Sequence, residues 1–196
     1  MFYTLTYRTD GTITGYCKYS EPQDVLPSDQ IECTEDQYNN WQSCVVADGA
    51  VSVSAEKALA VAKADKTAQL SARCAAEIAS GFASAALGID TFYPTTDNDQ
   101  RNLQSSALAG AWNAGDTKWR VPLWCRQRDT WAYVEHTAQQ VQQVNVAWVD
   151  FRAAAQQRYA TAIEKVSAAV DIEAVRAVDV APASTASSVP DNIMTS

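Results

Sequence analysis

The sequence predicts an α+β fold: a small β-rich N-terminal module, a long connecting helix, and a C-terminal helical domain with a β-hairpin. Three observations carry this. Aromatic and apolar residues alternate around an Asp10-Gly11 turn signal near the start. From about Ser54 the composition shifts to Ala, Lys, Glu and Gln, with strong helix propensity. Further on, a strand-like alternation over 119–135 gives way to apolar residues at helical spacing as far as Val166. The boundaries that follow are 1–52 for the β-rich module, 53–69 for a helical connector and 70–172 for a helix-loop-helix, hairpin and long-helix domain, with a flexible tail over 173–196.

Tyr3, Leu5 and Tyr7 share one strand face, and Ile13, Gly15 and Cys17 return after Asp10-Gly11, which makes a β-hairpin. Pro22 and Pro27 mark an irregular or edge segment. Thr34-Glu35-Asp36-Gln37 is a capping box opening a short helix with Tyr38 and Trp41 on one side, and Asp48-Gly49 is a second turn between Val45-Val46 and Val51. Such a module buries too little surface to be very stable alone.

The helix from Ser54 begins with Ala and charge, Leu59 and Val61 being its larger apolar groups, and so reads as a connector. Leu70, Cys74, Ile78 and Phe82 then recur every four residues on one helical face, with Arg73 and Glu77 on another. Gly81 and Gly88 bracket the exit, Tyr93-Pro94 fixes an extended turn, and Asp97 or Asp99 caps the next helix, with Gln100 completing a box from Asp97. The stretch 70–104 reads as helix, loop, helix.

Trp119, Val121, Leu123 and Cys125 alternate with polar positions, Gln127 to Thr130 forms a turn, and Trp131 and Tyr133 answer from a second strand. Thr137-Ala-Gln-Gln140 caps a helix that sets Val144, Trp148, Phe151, Ala155, Tyr159, Ile163 and Val166 on one face. The repeated steps of four follow the 3.6-residue period and not a strict heptad, so the helix packs a core. After about Ala177 the chain turns to Pro, Ser, Thr and Ala, with Ile193 and Met194 as late apolar anchors.

The 196 residues are 47% hydrophobic, enough to bury a core, and 23 Asp and Glu against 15 Lys and Arg give a net charge of -8, which repels a phosphate backbone. Arg120, Arg126 and Arg128 come nearest to a basic cluster, among Trp119, Trp124 and Trp131. That mixture suits stacking with single-stranded nucleic acid, but a solvated outer strand face is the commoner explanation. No nucleic-acid partner is expected. The opening MFYTLTYRTDG has neither the basic nor the long apolar part of a signal peptide, and charges interrupt every Ala-rich run, so no membrane partner is expected either. Cys17, Cys33, Cys44, Cys74 and Cys125 are odd in number and contain no C-x-x-C pair, which predicts reduced, partly buried thiols.

Gly-rich phosphate loops, H-E-x-x-H and G-x-S-x-G are absent from the sequence. A Cys-His-acid set could draw on Cys74 or Cys125 with His136 and Asp99, yet a histidine beside a helix start more often serves as a hydrogen bonder there. Asp97, Asn98 and Asp99 offer oxygen ligands without the spacing of a calcium loop, so capping is the preferred reading. Asp24, Asp29 and Glu32 read as a solvated acidic edge. No catalytic residue, cofactor or metal is expected. Trp41 and Trp148 fall on faces expected to be buried. Trp112, Trp119, Trp124 and Trp131, with Ile193 and Met194, are the candidate partner-binding residues.

The run RCAAEIASGFASAALGIDTFYPTTDNDQRNL, followed by Trp124, Trp131 and His136-Thr137-Ala-Gln-Gln140, resembles domain-of-unknown-function family 4376, found in tailed-bacteriophage tail proteins. The resemblance spans about residues 66–170 and is marked by Arg73, Gly81-Phe82, Ser84, Leu87-Gly88, Tyr93, Asp99-Gln100, Asn102-Leu103 and Gln140. The N-terminal module, with Gly11-x-Ile13, Pro27, Ile31 and Thr34, is more loosely similar to the front of phage tail-fibre assembly proteins. The resemblance implies a phage tail role without enzymatic activity. The expected function is that of a tail-fibre assembly chaperone acting in the host cytoplasm and binding a tail-fibre or baseplate protein. The alternatives are a structural subunit of the mature tail and a carbohydrate-binding receptor module; homo-oligomerisation is left open.

Overall fold

A computed structural model describes residues 1–181 of the chain and has the expected α+β class. Two compact units emerge: Met1–Leu70 with Ile163–Val178, and Ser71–Ala162 with the described residues from Asp179 on.

In the first unit, β1 (Phe2–Tyr7), β2 (Ile13–Tyr19) and β3 (Gln30–Cys33) form an antiparallel sheet in the order β2-β1-β3, with Leu5 opposite Tyr16 on one side and Ile31 on the other. The hairpin turns where expected, at a Gly11 with φ of +79°. Gly11 also lets two backbones meet: its carbonyl accepts from Val46 N at 3.0 Å, and a Cβ there would lie 2.1 Å from Val46 O. The strand β3 lies inside the segment read as irregular or edge. It occupies an edge of the sheet, and its four residues are too few to show a clear alternation.

The expected capping box opens α1 (Glu35–Asn39): Thr34 Oγ1 accepts from Gln37 N, and Gln37 Oε1 accepts from Thr34 N. Trp41 lies past the helix end, on a 3-10 turn over Trp41–Ser43. The strands β4 (Cys44–Ala47) and β5 (Ala50–Val53) pair around Asp48 and Gly49, both with positive φ, as a two-residue hairpin of the primed type requires. Leu5, Ile13 and Cys44 are the buried centre, with Ile31, Trp41, Val46 and Val51 packed on them.

The helix α2 (Ala55–Ala79) begins in this unit. The expected connector over 53–69 therefore lies within a compact unit, ending at the fully buried Leu70. Lys63 Nζ donates to Ser167 O at 2.7 Å and Lys66 Nζ to Arg176 O at 3.4 Å, so lysines that look merely solvated in sequence serve carbonyls near helix C-termini. The expected tail also needs correcting. Residues 172–177 form α5 (Ile172–Ala177), capped by Asp171 Oδ1, which accepts from Ala174 N at 2.7 Å, and anchored by the buried Val175. Residues 182–196 of that tail lie outside the described residues.

The second unit holds an antiparallel sheet in the order β6-β7-β8-β9, made of β6 (Phe82–Ser84), β7 (Thr91–Tyr93), β8 (Val121–Gln127) and β9 (Thr130–His136). Phe82 is thus a strand residue and not the last member of the helical stripe. Gly81 ends the helix run at a φ of +99°, where a Cβ would fall 2.2 Å from Phe92 Cζ. The expected loop between the helices is the β6–β7 hairpin. Thr96, not Asp97 or Asp99, caps α3 (Asp97–Trp112): Asp99 is the third helical residue, and its Oδ2 accepts from Thr96 N at 3.1 Å. Gln100 turns back instead to Thr95 O.

Thr137 and Gln140 form the expected box at the start of α4 (Ala138–Ala168). Val141, Val144, Trp148, Ala155 and Tyr159 are its buried stripe, and Ala162 and Val166 continue it. Trp148 meets Phe82 at 5.6 Å between ring centroids, in a core shared with Tyr93, Leu103, Leu123 and Cys125. Gly110 lies where α3 meets α4; a Cβ built there would stand 3.4 Å from Gln142 Nε2 and 3.5 Å from Ala138 O, ordinary contact distances. Gln142 Nε2 donates to Ala107 O across the same contact.

Candidate functional site

The β8–β9 hairpin separates two environments because its residues alternate between faces. Leu123 and Cys125 point into the core of the second unit. Trp124 and Tyr133 are direct partners on the other face, as are Arg126 and Trp131. The rings of Trp124 and Trp131 stack at 5.7 Å with 16° between planes, and Tyr133 meets Trp124 at 4.9 Å. Trp131 in turn meets Phe92 of β7 edge-on at 5.9 Å, and the Arg126 guanidinium lies 5.0 Å from the Phe92 ring and 5.7 Å from that of Trp131. A row of aromatic rings crosses three strands on a face where Trp124, Trp131 and Tyr133 are 41%, 40% and 72% exposed.

Of the candidate partner-binding residues, Trp124 and Trp131 are therefore brought together in the open. Trp119 packs against the core, while Trp112 is exposed at the end of α3. Ile193 and Met194 lie outside the described residues. Tyr133 and Phe92 complete the row and were not among the candidates. The alternation of β9 marks Tyr133, but nothing in the sequence aligns Phe92 with Arg126.

The inner side holds the lone histidine. His136 is fully buried at the end of β9, where Nδ1–H donates to Val134 O at 2.7 Å, so Nε2 accepts from the Tyr93 hydroxyl at 2.8 Å. Burial holds the imidazole below its ordinary value, against the opposing pull of the Val134 carbonyl and Glu135, and burial pushes the Tyr93 hydroxyl up. The hypothetical Cys-His-acid set is not assembled. Both His136 nitrogens serve Val134 and Tyr93, and the Asp99 carboxylate serves Thr96. Burial raises the Cys74 and Cys125 thiols, the direction opposite to activation of a nucleophile. Among the described residues, no group of three or more His, Cys, Asp or Glu could hold a metal ion, and no helix is long and apolar enough to cross a membrane.

The model of the family described as Domain of unknown function (DUF4376) matches residues 61–182, well over half of the chain. The chain belongs to that family. No curated protein and no solved structure matches it. The DUF4376 region takes in most of α2, all four strands of the second sheet, and α3 to α5, so the aromatic row lies wholly inside it. It is wider at both ends than the resemblance over 66–170.

Proposed function

We propose that the protein is a non-enzymatic bacteriophage tail protein that binds a tail-fibre protein during assembly, as a chaperone in the host cytoplasm. The observation that carries the reading is the row of Trp124, Trp131 and Tyr133 on an open sheet face. Clustered exposed tryptophan and tyrosine are the side chains that dominate protein interfaces. The sequence resemblance to tail proteins and the net charge of -8, which disfavours a phosphate backbone, support the same reading.

Co-expression with the fibre protein tests it. The expected result is a higher yield of soluble, correctly oligomerised fibre, capture of fibre on the tagged chain, and a loss of at least about 2 kcal/mol in affinity for Trp131→Ala, as for a central interface anchor. Mass spectrometry of purified virions supplies the other arm. A scarce protein fits the chaperone; a fixed ratio to fibre or baseplate subunits replaces it with the structural subunit; absence of any tail partner in both experiments overturns both.

A further inference from the structure

We propose that the cleft between α3 and the β8–β9 hairpin is a binding site for a neutral saccharide. Its volume, about 390 Å³, lies in the range of small-molecule clefts. One wall is the Trp124–Tyr133 pair, whose rings are tilted by 53° and form an open apolar step. The facing wall is polar and neutral for most of its length: Asn102, Ser105 and Ser106 line it, with Asp99 one turn earlier on α3. An amide supplies two donors and an acceptor, and the Ser105 hydroxyl, which donates to Asn102 O at 3.0 Å, keeps lone pairs to accept from a ligand.

The charges decide between ligand classes. No Lys, Arg or His lines the cleft, so an anion would face Asp99 without compensation. A cation would find a single carboxylate in the lining, and its Oδ2 already accepts from Thr96 N at 3.1 Å and Thr96 Oγ1 at 2.5 Å. A wholly apolar ligand would bury the amide and hydroxyls without partners. What fits both walls is a ligand with an apolar face of C–H groups and an edge of hydroxyls, which describes a pyranose ring. The proposal does not rest on fibre binding.

The full-length chain on an array of neutral and anionic glycans, followed by tryptophan-fluorescence titration with the neutral oligosaccharides retained, tests the site. The expected result is retention of neutral glycans, with affinity lowered at least about tenfold by Asn102→Ala and by Tyr133→Ala and unchanged by Trp112→Ala, which lies off the cleft. Unshifted melting temperatures show that the variants fold. Retention of no neutral glycan, preference for anionic ones, or binding that survives both variants overturns the proposal. Fibre capture by Asn102→Ala stays intact in either case, so the two readings fail separately.

Discussion

The β1–β2 and β8–β9 hairpins are built from the same signals, yet the aromatic rings of one pack against the elements that follow it, with Tyr16 still 50% exposed, while those of the other pack on their own sheet. In the first, Tyr3 and Tyr16 meet Tyr38 at 4.9 and 5.1 Å, Tyr16 meets Trp41 at 5.6 Å, and the Tyr3 hydroxyl donates to Glu35 Oε1. These partners stand on α1 and the 3-10 turn after it. In the second, the element that follows is α4, which begins at Ala138 and packs Val141, Val144 and Trp148 on the inner face with Leu123 and Cys125. Alternating aromatics announce a hairpin; the destination of the next helix decides whether they gain ring contacts from outside the sheet.

The strongest way to break this comparison is on the inner face of the second hairpin. Trp148→Ala should cost roughly 3–5 kcal/mol in denaturant unfolding of the second unit. An unchanged midpoint would remove Trp148 from the core. In the first unit the equivalent pressure point is backbone: Gly11→Ala should lose about 3 kcal/mol or more, since it combines a left-handed φ with a collision at Val46 O. Gly49→Ala has a similar φ of +74° with nothing within 4 Å, and should cost only about 1–2 kcal/mol. Equal losses at the two glycines would show that the close approach to β4 contributes nothing.

The packing of α1 on the first hairpin is tested by a pair. Tyr38→Ala removes ring contacts to both strands of the first hairpin and should cost roughly 1–3 kcal/mol, whereas Tyr133→Ala should stay within about 0.5 kcal/mol. Similar values would erase the distinction between the two hairpins. The gentlest effect is that of pH. His136 titrates below its ordinary value of 6.5 when folded, so the unfolded chain takes up the proton first. The second unit should therefore lose stability as pH falls through about 6.5, the loss levelling off below the folded value, and His136→Gln should flatten that slope. A slope of the opposite sign would mean that the buried imidazole is charged.

Much of the local chemistry was legible where partners are close in sequence. The boxes at Thr34 and Thr137, the Asp10-Gly11 and Asp48-Gly49 turns and the stripe on α4 all depend on neighbours within one or two turns of chain. Phe82 was misplaced because its spacing from Ile78 suits a helix, although Gly81, already a sign of the exit in the sequence, ends the helix before it. Thr96 was passed over for the acidic residues after it because Asp99 fits a cap as well as it fits the third position of a box. The docking of Lys63 and Lys66 depends on residues about a hundred positions away, which no local pattern encodes. The cleft was illegible for the same reason, since Asn102 stands on α3 and Tyr133 on β9.

The outward row has one further consequence, which concerns entropy. Each ring leans on the next, and Arg126 is held between Phe92 and Trp131, so these side chains have given up much of their rotamer freedom before any ligand arrives. Immobilising a free side chain on binding costs roughly 0.5–1.5 kcal/mol. A surface whose anchors already stand in place spares its partner most of that cost at every ring, and its association should be limited by encounter and not by rearrangement.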